Sequence, residues 1–297
     1  MNKLSDILKL LNEQRGFDFS GYRRSMLERR IQKRIYATKK KNSKGYLEYL
    51  ANNHNELDNL IDVFTINVSS FYRNSMTFEF ISRLTFPEMI STKAKKNDNT
   101  IRIWSAGCSF GEEPYSIAIS LNEYLNKEDA IFNVNIFATD IDKKALARAA
   151  KGVYSFENIK NIKLGTFNKY FTKNEDQFSL VSEIKNMVQF SFYDLLDKNN
   201  TAPPDSIFGG FDIILCRNVL IYLEPEYQKT IFNKLYKSLN KNGYLVLGEA
   251  EVPIKNFKNK FSRVNNCCKI YRKNGWVDLL SNGVLYAHQI NNSTTKP

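Results

Sequence analysis

Histidine is nearly absent from this chain: 297 residues contain two, His54 and His288. That undercuts a Ser-His-Asp hydrolase or a histidine-ligated zinc hydrolase. Cysteine is scarce too. Cys108, Cys216, Cys267 and Cys268 form no C-x-x-C pair, so neither a disulfide framework nor a thiolate metal site is indicated, and no metal is expected. Such cysteine usage fits a reducing cytoplasm. No run approaches the roughly 18 uncharged apolar residues of a membrane span. The best candidate, Phe211–Leu223, is interrupted by Asp212 and Arg217. Met1–Asn12 reads as an amphipathic helix without the apolar core or cleavage site of a signal peptide. Acid is in short supply relative to base. The chain holds 43 Lys+Arg against 31 Asp+Glu, a net charge of +12, which favours an anionic partner.

What is present falls into two parts. Residues 1–90 read as an all-α domain with little β pattern. Met1–Arg15 is one helix, followed by a turn around Gly16–Gly21. Tyr22–Lys41 is a second, with Leu27, Ile31 and Ile35 forming an apolar seam at i, i+4, i+8. Gly45 is expected to end it. Tyr46–Asn53, Glu56–Phe64 and Arg73–Leu84 follow as helices, with Pro87 just beyond. Residues 91–100 are polar and Lys-rich and read as the interdomain linker. From residue 101 to 275, strands alternate with helices. The strands are Ile101–Ala106, Val134–Thr139, Met187–Phe192, Phe211–Cys216 and Gly243–Gly248. The helices are Glu112–Lys127, Lys143–Lys151 and Pro225–Asn240. This predicts an α/β fold, a mostly parallel sheet covered on both faces. Asn158–Glu183 breaks the alternation and suggests a small antiparallel insertion. Residues 276–297 read as a polar tail that frays at its end.

Four segments carry candidate chemistry. The first βα turn reads Trp104-Ser-Ala-Gly-Cys-Ser-Phe-Gly-Glu-Glu-Pro-Tyr-Ser116. Its small residues allow close approach of a ligand to the backbone. It is neither G-x-G-x-x-G nor a P-loop. Glu112 and Glu113 argue against a phosphorylated ligand and for a hydroxyl-rich or cationic one, although acids also suit any helix start. The second strand ends in Ala138-Thr-Asp-Ile-Asp142. Asp140 there could accept both hydroxyls of a ribose, with Asp142 capping the next helix. The fourth strand runs into Cys216-Arg-Asn-Val-Leu-Ile-Tyr222, placing Arg217 and Asn218 at the sheet's carboxyl edge. Tyr222 could face the same cleft or pack beside Leu220 and Leu223. Tyr22–Lys44 holds ten basic residues against one acid, Glu28, three quarters of the net charge. Arg23, Arg30, Arg34 and Lys41 fall near one line on a helix, and an excess this one-sided reads as a docking surface for acid.

In order along the chain, these segments resemble the chemoreceptor glutamate methyltransferases of bacterial chemotaxis, the CheR family. The resemblance spans Gly16 to Arg272. It rests on Tyr22-Arg-Arg-Ser-Met-Leu-Glu-Arg-Arg-Ile-Gln32, Asn67-Val-Ser-Ser-Phe-Tyr-Arg73, the Ser105–Ser116 turn, Ala138–Asp142 and Cys216–Tyr222. It implies a helical N-terminal domain and a class I S-adenosylmethionine-binding, Rossmann-like domain. A small antiparallel β-subdomain, expected at about 158–186, is inserted in the latter. It implies that Asn67, Ser69 and Arg73 contact the cofactor's methionine end, and that Gly107 and Glu113 help to hold the cofactor. Asp140 would bind ribose, and Asp194 and Leu195 would lie near adenine. Arg217 and Asn218 would line the cleft, and Tyr222 would face the reacting centre with Arg73. Ser69 stands where Thr is usual, Phe110 where Thr is usual, Asp194 where Asn is usual, and Gly248-Glu-Ala-Glu251 where Gly-His-Ser-Glu is usual.

The implied reaction moves a methyl group from a sulfonium to a receptor glutamate, giving a methyl ester. A carboxylate is already ionised at neutral pH, so no general base is needed. The implied partner is the cytoplasmic domain of a transmembrane chemoreceptor, with this chain a cytoplasmic monomer that binds no nucleic acid. One rival is a nucleic-acid methyltransferase, which the basic charge also suits. The Asn/Asp-Pro-Pro-Tyr/Phe signature of adenine-amine enzymes is missing: Arg217-Asn-Val-Leu220 stands after the fourth strand, and Pro203-Pro204 lies upstream. Cys216 follows Leu215, not the proline that precedes a cytosine-C5 nucleophile. A second rival is a non-catalytic cofactor-sensing adaptor, disfavoured by the presence of Arg73, Asp140 and Tyr222.

Overall fold

The computed structural model describes residues 3–206 and 209–274. The tail expected over 276–297, and His288 with it, lies outside the described residues. Four helices come first: α1 (Lys3–Arg15), α2 (Arg24–Ala37), α3 (Ser43–Ala51) and α4 (His54–Thr65). Each carries one apolar stripe. Ile7 and Leu11 of α1 meet Leu27, Ile31 and Ile35 of α2, Tyr46 and Leu50 of α3, and Leu57, Leu60 and Phe64 of α4 in one core.

α2 stops at Ala37 and does not reach Lys41. Lys39 adopts a left-handed φ of 55°. The Thr38 and Lys40 amides turn back to the carbonyls of Arg34 and Ile35 at 2.8 and 3.0 Å, a closure that here uses no glycine. Gly45 ends nothing. It lies inside α3, where its amide and that of Lys44 donate to the Asn42 side chain at 3.0 Å.

The linker expected over 91–100 is shorter than that, and the helical domain closes well before residue 90. α5 (Ser75–Phe80), one π turn (Ile81–Thr85) and α6 (Phe86–Ala94) run on almost without break, and strand β1 starts at Thr100. Pro87 stands in the first turn of α6, after the wide π turn, where a missing N–H costs little. Phe78, Ile81, Phe86 and Met89 pack with Ile101, Ile103 and Ile119 in the sheet core. Residues 75–94 therefore belong physically to the sheet domain.

That domain continues with β1 (Thr100–Ala106), α7 (Glu112–Lys127), β2 (Asn133–Asp140) and α8 (Lys143–Lys151). An insertion follows: β3 (Val153–Ser155), α9 (Phe156–Ile159), α10 (Leu164–Tyr170), β4 (Phe171–Asn174), β5 (Gln177–Leu180) and α11 (Ser182–Lys185). Then come β6 (Val188–Phe192), β7 (Phe211–Cys216), α12 (Pro225–Ser238), β8 (Leu239–Leu247), β9 (Phe261–Arg263) and β10 (Ile270–Lys273). The main sheet has the order β6-β2-β1-β7-β8-β10-β9. Its first five strands are parallel and the last two antiparallel. All six residues of β7 are buried, the pattern of a strand covered on both faces. Even Asp212 is held inside, paired with Lys93 at 3.0 Å and accepting the Arg102 amide at 2.9 Å.

The insertion forms its own antiparallel sheet, β3-β5-β4. It opens at Val153, before the expected 158, because β3 has only three residues and leaves no alternation to read. Phe71 ties it to the rest, with edge-to-face contacts to Tyr154 and Phe171 at 4.8 and 5.3 Å. Between β1 and β7 the strand order reverses. The carboxyl edge at that reversal is where open α/β sheets hold ligands.

Candidate functional site

A cleft lies at that edge, roofed by the Thr65–Arg73 segment and by Tyr22 at the entrance to α2. Its empty space, counted to the solvent opening, is about 980 Å³, the upper end of the roughly 300–1,000 Å³ usual for small-molecule sites.

The floor is the turn after β1. Gly107 has φ 81°, and a Cβ there would fall 2.5 Å from the Val219 side chain, so only glycine serves. The Gly107 and Cys108 amides donate to the Thr139 carbonyl at 2.8 and 2.9 Å. The Ser109 amide donates to Asp140 at 2.8 Å, and the Asp142 amide reaches the other Asp140 oxygen at 3.0 Å. One carboxylate thus fixes two turns while bordering the cleft. Burial pushes its pKa above the ordinary range against the pull of those amides. Asp142 caps α8, accepting from Lys144 and Ala145 at 2.8 and 3.1 Å.

One wall is ionic. Glu113 accepts from Ser105 Oγ at 2.8 Å and from Arg217 at 3.1 Å. Burial raises its pKa, and Arg217 opposes the rise. Arg217 also donates to the Arg73 carbonyl at 2.7 Å and to Asn74 at 3.0 Å, which couples the fourth-strand loop to the segment carrying Arg73. Arg73 donates to the Val68 carbonyl at 3.0 Å and is half-buried at the cleft wall. Opposite, Asp194 accepts the Leu196 amide at 2.8 Å, and burial raises its pKa. Leu195, Ser69, Asn218 and Tyr222 line the cleft as well.

Every cleft residue expected from sequence is therefore brought to one cavity. Asn67 borders it too, but its amide donates to Asp142 at 2.6 Å, so part of its hydrogen bonding goes to the helix cap. Tyr22 and Tyr193 also line the cleft and were missed. Tyr22 opens the first quoted motif, yet nothing in its spacing gives it a site role. Its burial, with Asp194 and Asp140 nearby, raises its pKa, so the phenol stays protonated.

The basic stripe is not assembled as expected. Arg34 forms a two-pronged pair with buried Glu56 at 2.8 and 2.6 Å, and the Tyr46 hydroxyl donates to the same carboxylate at 2.7 Å. Arg30 donates to the Val63 carbonyl, and Arg23 to the Leu223 carbonyl at 3.3 Å. Lys41 lies past the helix end. Positions flanking an apolar seam point partly inward, so the long side chains reach internal acceptors. An overlapping set lines an open groove beside the cleft: Arg29, Arg30 and Lys33 of α2 with Lys144 and Arg148 of α8, alongside the acids Asp62 and Asp142. Arg148 lies over the Phe110 ring, 4.3 Å from its centre. Ile66, Asn67 and Val68 border groove and cleft alike.

Comparison with known proteins agrees with this arrangement. Residues 67–270 match the family described as "CheR methyltransferase, SAM binding domain", and residues 2–65 match "CheR methyltransferase, all-alpha domain". A chemotaxis protein methyltransferase of Borreliella burgdorferi is 32% identical, over 84% of this chain and 88% of that protein. Chemotaxis protein methyltransferase 2 of Vibrio cholerae is 32% identical, over 80% of this chain and 81% of its own length. The chemotaxis protein methyltransferase of Escherichia coli is 30% identical, over 82% of each chain.

Proposed function

The chain belongs to the CheR methyltransferase family, and from that premise we propose that this cleft binds S-adenosylmethionine and methylates glutamate side chains of chemoreceptors. The carrying observation is the convergence of Arg73, Glu113, Asp140, Asp194, Arg217 and Tyr222 on one cavity at the sheet's switch point. The residues suit the cofactor. Asp140 offers a buried carboxylate to hydroxyls, Gly107 leaves the turn open to close approach, and Leu195 supplies an apolar side for a base. When bound, the cofactor supplies an electrophilic methyl on sulfur. The protein's part is alignment. Arg73 orients the substrate carboxylate by charge. Arg217, neutralised by Glu113, holds the Arg73 segment in place. Tyr222 closes the reacting side, and the apolar lining limits water.

The groove formed by α2 and α8 supports docking of an acidic receptor helix by Arg29, Lys33 and Arg148. Of the earlier set, Arg34 is taken up by Glu56, Arg30 donates to the Val63 carbonyl while lining the same groove, and Arg23 and Lys41 are exposed away from it. We further read the chain as a cytoplasmic monomer that needs neither metal nor nucleic acid. No described helix is long and apolar enough to cross a membrane. The test is transfer of labelled methyl to receptor-containing membranes, with nucleic acid in a parallel reaction. Label should enter receptor and leave as volatile methanol in mild base. Label in nucleic acid, or base-stable label, refutes the reading.

A further inference from the structure

The loop that carries Arg217, Asn218 and Tyr222 has a backbone problem. After β7 it turns sharply, with Asn218 at φ 59°, and enters a single 3-10 turn, Leu220–Tyr222. Its successive amides point into the protein with no helical turn before them to supply carbonyls. A buried amide left unmatched is costly.

Glu251 resolves this from outside the cleft. Its side chain is buried, at 4% exposure, and its carboxylate gathers five main-chain N–H groups. One oxygen accepts from Val219, Leu220 and Ile221 at 2.9, 2.8 and 3.3 Å. The other accepts from Asn218 and Gly248 at 2.9 and 2.7 Å. A Cβ on Gly248 would fall 2.7 Å from this carboxylate and 2.8 Å from the Asn218 amide, so glycine there is what lets the two segments approach. The loop held this way presses Val219 onto Gly107 of the first turn. It also presents Arg217 to Glu113.

We propose that Glu251 is a positioning residue for methyl transfer: its carboxylate sets the backbone of the 217–222 loop, and through it the placement of Arg217, Asn218 and Tyr222. Glu251 does not itself border the cleft. The inference rests on the reading that this loop faces the reacting centre. Ribose recognition by Asp140 arises at the end of β2, and Glu251 makes no hydrogen bond to that residue.

The test compares Glu251→Gln and Glu251→Ala with wild type, and adds Gly248→Ala, which crowds the same carboxylate from the opposite side. Glu251→Gln keeps the shape but turns an N–H₂ toward amide donors. Turnover at saturating receptor and cofactor is measured together with calorimetric affinity for S-adenosylhomocysteine, below each variant's melting temperature. Displacing reacting groups by about 1 Å can cost on the order of 10²-fold. That loss in kcat is expected for Glu251→Ala and Gly248→Ala, with a smaller loss for Glu251→Gln and product affinity kept near wild type. Wild-type kcat in a folded Glu251→Gln or Gly248→Ala protein overturns the proposal. So does a parallel loss of kcat and product affinity, the mark of a purely structural residue. An inactive wild-type protein in the receptor assay would instead count against the proposed function itself.

Discussion

Replacing Asp140 touches ligand binding and two turns of the fold at once, and pH tells the two effects apart. Its two oxygens hold the Ser109 and Asp142 amides at 2.8 and 3.0 Å, and its side chain lines the cleft. Hydrogen bonds to a charged acceptor contribute ~1.5–3 kcal/mol each. Losing two from ribose hydroxyls in Asp140→Ala should weaken cofactor binding by ~3–6 kcal/mol, about 10²–10⁴ in Kd. Stability should move differently. Burial raises the folded-state pKa above the reference 3.8. The folded chain therefore binds that proton more tightly than the unfolded one, and stability declines as pH climbs from 3.8 through the raised value. Asp140→Asn removes this liability and keeps one acceptor oxygen. Its N–H₂ would face one of the two backbone amides the carboxylate holds, so it should lower the melting temperature as well as losing affinity. Wild-type affinity should also fall as pH drops through the raised pKa, and Asp140→Asn should lose that limb. Calorimetry with S-adenosylhomocysteine across pH, paired with thermal melts, checks each sign. Wild-type affinity in folded Asp140→Ala would refute the assignment.

Arg73→Ala should lower turnover by about 10²–10³, as for removal of one preorganised charge stabiliser, with little change in melting temperature; near-normal kcat would reduce Arg73 to a helix-start residue. Arg34→Ala should cost about 3 kcal/mol, the low end for a broken buried pair, because Glu56 is 4% exposed and Arg34 22%; denaturant unfolding measures this. Burial pushes the Glu56 carboxyl up, but hydrogen bonds from Arg34, Tyr46 and Asn59 outweigh it and leave the pKa lowered. Its stabilisation should be full above 4.5 and lost as pH falls through the depressed value, which melts at graded pH would show. Charge reversal at Arg29, Lys33 and Arg148 should slow receptor methylation at low salt and flatten its salt dependence. An unchanged salt profile would make the groove a solvated face.

The elements with strong periodicity or full burial could be read from sequence. α7 and α8 stand over Glu112–Lys127 and Lys143–Lys151 as expected, and β7 over Phe211–Cys216. Each is bounded by a turn or cap whose chemistry is local: Gly111 before α7, Asp142 before α8. What could not be read depended on partners distant in sequence. The end of α2 is set by backbone closure at Thr38–Lys40, which almost any residues can make. The continuation through Pro87 depends on a π turn with no sequence signature. β3 is a strand only because β5 pairs with it. In the cleft, residues inside motifs could be named, but Tyr22 enters from the other end of the chain. The part of the basic stripe drawn inward was hidden for a related reason. Helical geometry gives the angle of Arg34 on α2, but not the buried Glu56 waiting 22 residues later.

The same accounting of partners makes charge, not shape, the demand on Arg73. Three carboxylates line the cleft, Glu113, Asp140 and Asp194, against two guanidiniums, Arg73 and Arg217, among the described residues. Glu113 and Arg217 neutralise each other at 3.1 Å, and Arg217 is too deeply buried to greet an incoming anion. Asp140 and Asp194 remain as net negative charge, each already strained upward in pKa by burial. That surplus suits a cationic, hydroxyl-bearing cofactor and repels a glutamate carboxylate. Arg73 is the cleft's remaining cation, and it sits on the segment that borders both the cleft and the basic groove outside. Arg73→Lys should therefore retain more turnover than Arg73→Gln, although glutamine can still hydrogen-bond a carboxylate. If the two variants turn over equally, hydrogen bonding rather than charge carries the substrate past the acidic interior.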